Sequence, residues 1–270
     1  MEIQFLGTGS AFCLHNHQSN LIVKNNDQLL LVDAGGDIRF SLKNAGYHIQ
    51  DIDALYISHL HNDHIGGMEY IALYTYFNPD QDPLKLFIHQ TLINELWENA
   101  LKAGLSSVQN KILTLQDYFD LHSIGSELLF EWQNIQFSLV PTPHIFNGTE
   151  TVFTFGLMIQ DMDSGYRIYL TGDTQFNPKK NKAAYDEADI VIHDCETSEF
   201  KSGVHSHYDE KNVLDSKVKR KTYLWHYQDN VIMDFDSWQK KSKKDGFRGF
   251  ITKGARFVIN KNGIEYKESY

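Results

Sequence analysis

The densest chemistry in the sequence is Ser58-His59-Leu60-His61-Asn62-Asp63-His64-Ile65-Gly66-Gly67, with three histidines and an aspartate inside six positions. Imidazole and carboxylate are ligands suited to zinc and similar divalent ions. A lone histidine is most often structural, but a cluster directly after a hydrophobic run favours metal binding. In extended chain, side chains two apart point the same way, so His59 and His61 can share one ion. A bend into a helix after them turns Asp63 and His64 toward a second. Gly66 and Gly67 remove side chains where backbone would pack close. Distant ligands are also needed, and three candidates stand at the ends of strand-like runs. These are His144 after residues 137–143, Asp173 in Gly172-Asp173-Thr174, and His226 after Thr222-Tyr223-Leu224-Trp225.

Such residues meet only if strands and tight turns deliver them. Residues 2–6 read as a first strand, ended by Gly7-Thr8-Gly9-Ser10. Residues 20–24 and 28–32 flank Asn25-Asn26-Asp27, a hairpin-type turn cluster. Asp33-Ala34-Gly35-Gly36 follows, then a short helix over 37–46 and a buried strand over 52–58. Residues 84–89 predict a strand and 90–105 a helix, with Leu92, Ile93, Leu96, Trp97 and Leu101 on one core-facing side. Further strands are expected over 128–132, 135–140, 152–159, 166–171, 190–192 and 223–225. The aromatic run over 70–77 reads as a buried helix after the metal loop, with an interface as the alternative. No repeat or long linker intervenes, so residues 1–270 read as a single α/β domain with two sheets covered by helices.

Composition narrows the class. With 41% hydrophobic residues over 270 positions, the chain can bury a large core, which excludes disorder. Its longest apolar runs fall far short of the roughly 20 residues of a membrane span, and MEIQFLGTG has no signal-peptide pattern. A cytoplasmic protein without a membrane partner is therefore expected. Cys13 and Cys195 are too few for a disulfide scaffold and lack thiolate-site spacing. Both are expected to be small buried residues rather than nucleophiles. The net charge of −10 divides into −17 over residues 1–210 and +7 over 211–270. The acidic body disfavours general nucleic-acid binding. The basic end, with Lys217, Lys219, Arg220, Lys221, Lys240, Lys241, Lys243 and Lys244, either favours a small anionic substrate or balances the body.

On these motifs the chain resembles the metallo-β-lactamase-fold hydrolase superfamily over nearly its whole length. The superfamily's H-x-H-x-D-H signature is matched by His59, His61, Asp63 and His64, its later single histidine by His144, its bridging aspartate by Asp173 and its last histidine by His226. The resemblance implies a four-layer αββα sandwich with metals at one edge. It also implies two divalent metal ions, usually zinc, with Mn2+ or Fe as alternatives. His59, His61 and His144 would hold one, Asp63, His64 and His226 the other, and Asp173 would bridge. Flavodiiron proteins on this fold have a glutamate where His61 stands, which disfavours a redox role. Phe5-Leu6-Gly7-Thr8-Gly9-Ser10-Ala11, with Asp33-Ala34-Gly35 and Ser58-His59-Leu60-His61, is similar to the ribonuclease Z and phosphodiesterase branch. The glycine- and proline-rich arm that grips tRNA in ribonuclease Z is not seen, so tRNA is not the expected partner. Relatives on this branch are commonly dimers, which leaves a homodimer open.

The activity implied is hydrolysis of a small nucleotide-like or other phosphodiester. Two close divalent ions lower the pKa of a water between them toward about 7. Attack by that hydroxide is expected, with Asp63 both holding a metal and orienting the nucleophile. The leaving group needs a proton, which histidine supplies near neutral pH, so His205 and His207 are catalytic candidates. His205-Ser206 resembles the branch's His-Ser-Thr turn, which puts His205 first. His15 and His17, in the loop that the resemblance places near the metal mouth, are candidate substrate contacts. Asp33 is expected to orient a ligand or to serve the turn rather than to bind metal. The same fold hosts lactone and thioester hydrolysis, and a non-catalytic metal-binding sensor is the reading of a different class.

Overall fold

Four successive apolar residues, Leu29-Leu30-Leu31-Val32, can be buried only if both faces of their strand are covered. The computed structural model, which describes residues 1–268, covers both. Leu30 and Val32 enter the core between two sheets. Leu29 and Leu31 enter a second core beneath helices.

The strands run β1 (Glu2–Gly7), β2 (Asn20–Asn25), β3 (Gln28–Val32), β4 (Ala54–Ile57), β5 (Leu84–His89), the short ribbon β6 (Ser107–Val108) and β7 (Lys111–Ile112), and β8 (Phe119–Ile124). They continue with β9 (Leu129–Trp132), β10 (Ile135–Phe146), β11 (Thr151–Asp161), β12 (Arg167–Leu170), β13 (Ile190–Asp194), β14 (Thr222–Trp225) and β15 (Gly249–Phe250). A last hairpin, β16 (Arg256–Asn260) and β17 (Gly263–Lys267), returns to pair with β1. The sheet orders are β17-β16-β1-β2-β3-β4-β5-β8 and β15-β14-β13-β12-β11-β10-β9. In each sheet one half is parallel: β3, β4, β5 and β8 in the first, β12 to β15 in the second.

Helices α1 (Ile38–Asn44), α2 (Asn62–Ile65), α3 (Met68–Tyr76), α4 (Gln90–Glu95), α5 (Lys102–Leu105) and α6 (Leu115–Tyr118) pack residues such as Ile38, Met68 and Leu105 on the first sheet. The second sheet is covered by α7 (Lys182–Glu187), α8 (Ser216–Lys219), α9 (Asp229–Met233) and α10 (Phe235–Lys244), through Tyr185, Val231 and their neighbours. The layers are therefore αββα, as expected.

Several boundaries differ from the sequence reading. The helix over 90–105 passes through a π-helical stretch, Leu96–Leu101, between α4 and α5. Apolar spacing does not reveal such a widened turn. β10 runs on past Val140 through Pro141 and Pro143, because β9 pairs only with its Ile135–Ser138 portion and leaves that edge without a hydrogen-bond requirement. The aromatic run forms α3, with Ile71, Ala72 and Thr75 buried and Tyr74 and Phe77 exposed. In the expected basic end, lysines lie over the outer layer, Lys241 of α10 against the rings of Tyr208 and Trp238 and Lys219 of α8 against Phe247. Cys195 is buried, whereas Cys13 is only half-buried.

Candidate metal centre

Most of the candidate ligands leave the carboxyl ends of strands at one edge of the sandwich. Asp33 follows β3, His59 lies just beyond β4, Asp173 beyond β12 and His226 after β14, while Asp194 closes β13. His61 N-caps α2, which carries Asp63 and His64. His144 lies inside β10 where register shifts between Pro143 and Ile145, so it has no cross-strand partner. The extra residue re-aims its side chain. Close packing of the β3 loop against α2 requires Gly35, since a Cβ there would lie 2.3 Å from the Asp63 carbonyl oxygen. Asp33 and His226 hold left-handed backbone, φ 61° and 59°, a conformation in which Asp and His are several-fold enriched among non-glycine residues.

Two donor groups share one carboxylate oxygen. In the first, His61 Nδ1 is 3.1 Å from His144 Nε2, and Asp173 Oδ2 is 3.7 Å from His59 Nε2 and 4.0 Å from His144 Nε2. In the second, Asp63 Oδ2 is 3.3 Å from both His64 Nε2 and His226 Nε2. Asp173 Oδ2 lies 3.2 and 3.5 Å from the same two nitrogens. Tetrahedral bonds of about 2.0–2.1 Å hold their donor atoms roughly 3.3–3.4 Å apart. The observed spacings fit that edge length closely in the second group and loosely in the first.

The inner atoms lack other partners. His59 Nε2, His64 Nε2 and both oxygens of Asp173 are buried and find no hydrogen-bond partner among the described residues. Each such orphan costs roughly 1–3 kcal/mol, and a cation satisfies them together. The outer nitrogens are pinned instead. Ser58 Oγ is 3.1 Å from His59 Nδ1, the Val204 carbonyl 2.8 Å from His144 Nδ1, and Asp33 Oδ2 2.7 Å from His64 Nδ1. Such outer contacts fix which nitrogen faces the metal. Asp33 thus orients His64, as expected.

Charge divides the two groups. Burial lowers the basicity of His59, reinforced by His64, and burial likewise lowers His61 and brings His144 down to about 4. Burial also opposes charge on His64 and His226, but carboxylates outweigh it. Asp173, Asp63 and Asp33 raise His64, and Asp173, Asp194 and Asp63 raise His226 to about 10. Asp63, Asp173 and Asp194 stay below the usual carboxylate range despite burial, held there by His64, His226 and His205.

Asp194 was not singled out from the sequence, yet it is a hub. Its Oδ2 accepts from Thr174 N–H at 3.0 Å and lies 3.1 Å from His205 Nδ1, while Oδ1 lies 3.4 Å from His226 Nδ1. His205 therefore joins the cluster, its ring centroid 4.9 Å from that of His226 and 5.0 Å from that of His144. Fully buried Lys211 supports this loop by donating to the Ser206 carbonyl. His207 does not join. Its Nδ1 accepts from Asp209 N–H, capping the helical turn Tyr208–Val213, and its Nε2 meets the Ser198 carbonyl. His17 is likewise taken up elsewhere, between Asp37 and Asn44 on the α1 side. His15 is exposed, with its backbone N–H bound to Asp229.

Known proteins match this chain over most of its length. A family model described as "Anti-Pycsar protein Apyc1" matches residues 1–257. A protein of that name from Paenibacillus harenae is 32% identical over 233 residues, covering 86% of this chain and 91% of its own. Another from Bacillus phage BSP38 is 32% identical over 266 residues, covering 96% and 98%. Among solved structures, the metallo-β-lactamase fold protein YhfI from Bacillus subtilis aligns with a TM-score of 0.73 at 18% identity, covering 95% of this chain and 99% of that one. The fold is thus the metallo-β-lactamase fold, and the His/Asp groups stand at the edge where it would carry divalent metal.

Proposed function

The chain belongs to the family described as anti-Pycsar protein Apyc1, and from that premise we propose that it is a dinuclear, zinc-dependent phosphodiesterase that hydrolyses cyclic nucleotides. The observation that carries this reading is His205 standing beside two donor groups joined by Asp173. The family's name points to the cyclic nucleotide. A donor set of five imidazoles and two carboxylates suits zinc.

Two such ions would lower the pKa of a shared water and neutralise charge on the phosphoryl oxygens. The chain's own residues supply orientation and protons. Asp63, within reach of both His64 and His226, positions the attacking water. Asp194 accepts the Nδ1 hydrogen of His205 and leaves Nε2 as the nitrogen that donates to the departing ester oxygen. Burial opposes charge on His205, but Asp194 and Asp173 hold its proton on above the ordinary range, which suits a general acid at neutral pH. The phosphorus–oxygen ester bond then breaks with a proton ready for the leaving oxygen. A small anion also suits an acidic body of −17 better than a long polyanion does.

The test is to incubate zinc-loaded protein with cyclic mononucleotides, bis-p-nitrophenyl phosphate, a lactone and a thioester. Release of nucleoside monophosphate supports the proposal. Lactone or thioester turnover without diester turnover refutes it, and silence toward every substrate with two metals bound favours a sensor.

A further inference from the structure

Next to the metal cluster the structure holds a cavity of about 580 Å3, a size that suits a small organic ligand. Its walls include His89 and Glu95 from the β5–α4 segment, Phe153 and Phe155 from β11, Glu150 just before β11, and Lys180 from the loop after Asp173. The two sites adjoin through the backbone. Phe155 N–H donates to the carbonyl oxygen of Ser58 at 3.1 Å, one residue before His59. Phe153 pairs across strands with Pro143, the neighbour of His144, and paired residues stand about 5 Å apart at Cα. Phe153 is therefore within the length of one mononucleotide from the cluster.

The lining selects for a flat, neutral ring. Phe153 keeps 36% of its surface exposed, with the Lys180 ammonium 4.2 Å from its ring centroid. Deeper in the wall, His89 stacks on Phe155 with centroids 4.1 Å apart and planes 25° apart. The lining carries two carboxylates, Glu95 and Glu150, and one ammonium, Lys180. A second phosphate would be repelled there, whereas a base would not. Aromatic faces hold any nucleobase because every base has a π-face.

We propose that this cavity is the base subsite of the enzyme: it stacks the nucleobase of a mononucleotide on Phe153 while the phosphodiester lies at the cluster. The inference rests on the cyclic-nucleotide reading above. Base–aromatic stacking is worth roughly tenfold or more in binding. The experiment compares kcat/KM of zinc-loaded wild type, Phe153→Ala and Phe153→Trp on cyclic CMP, cyclic AMP and the abasic cyclic ribose phosphate. In Phe153→Ala the preference for the cyclic nucleotides over the abasic ester should fall about tenfold, chiefly through KM, and Phe153→Trp should restore it. An unchanged preference in Phe153→Ala overturns the subsite and leaves the cyclic-nucleotide activity standing. An equal loss on all three esters also overturns it, because Phe153 would then support the cluster rather than the base. Wild type that cleaves bis-p-nitrophenyl phosphate but no cyclic nucleotide overturns both readings.

Discussion

Asp33→Asn should weaken one metal and spare the other. The Asp33 carboxylate accepts three hydrogen bonds: Ser58 N–H on Oδ1 at 2.8 Å, and Ser58 Oγ–H and His64 Nδ1–H on Oδ2 at 2.8 and 2.7 Å. Asparagine fills the same volume and tolerates the left-handed φ of 61° at this position, so the backbone is not strained. It offers only one acceptor oxygen. If that oxygen keeps the Ser58 N–H, the amide NH2 faces His64 Nδ1, and two donors meet unless the imidazole moves its proton to Nε2. That nitrogen is the one directed at Asp63 and Asp173, where the ion would bind. If the amide flips, its NH2 meets Ser58 N–H instead, at a cost of about 1–3 kcal/mol. Loss of such an orienting partner typically weakens metal affinity by about 10–100-fold. The first group is insulated, because Ser58 Oγ still accepts from His59 Nδ1 after its own hydrogen rotates away. Zinc titration against a competing chelator reads both sites. One equivalent should weaken by that factor while the other keeps its wild-type affinity. Two equivalents of wild-type affinity, or equal weakening of both, would refute the argument through the His64 tautomer.

Other perturbations follow from the same geometry. Asp63→Ala should abolish diester turnover with a much smaller loss of thermal stability, and normal activity at normal metal content would remove its role. His205→Ala should lower kcat by about 10²–10⁴-fold, the usual worth of a positioned acid, with zinc content unchanged; undiminished turnover would cancel the assignment. Metal uptake should differ in pH dependence, since ligands bind deprotonated. The first group already offers low-pKa imidazoles, whereas His64 and His226 must each release a proton. Near neutral pH, calorimetry in buffers of different ionisation heat should therefore show proton release from one site only, with that site's affinity rising with pH; parallel pH dependence of both contradicts it. In the metal-free chain the raised His226 contributes stability that is full below its ordinary value of 6.5 and is lost as pH rises through about 10. Melting with chelator present should weaken over that range, and a flat profile would count against the carboxylate–histidine pairing.

What the sequence disclosed and what it hid follow from chain direction. β1, β3 and β4 point one way in the first sheet, and β10, β12, β13 and β14 share a direction in the second, because β2 and β11 run antiparallel between them. The carboxyl ends of these strands lie together, the usual place for a site in parallel sheets. A polar residue just past an apolar parallel run is therefore a local signal with long-range meaning, which is why Asp33, His59, Asp173 and His226 were legible. Asp194 carries the same signal, but in His193-Asp194-Cys195-Glu196 four polar or reactive residues follow the run at once. Only the register of β13, which turns Asp194 toward His205 and His226, separates it from His193, whose Nε2 is bound to the Tyr185 hydroxyl. His207 misled for the complementary reason. Its spacing from His205 puts both on one side of an extended chain, but its ring is taken up by capping the helical turn that follows and by the Ser198 carbonyl. His144 was legible as a polar residue after the run 137–143, but the bulge that re-aims it leaves no periodic trace. Besides the two-residue strands β6, β7 and β15, the strands missed were β8 and β17, the two opposite edges of the first sheet, and β16 beside β17; all three mix charged or polar with apolar residues. The edge that bears the metal groups is thus the part of the fold most strongly written in sequence. Its ligands must be polar exactly where buried strands end, and no packing requirement competes for those positions.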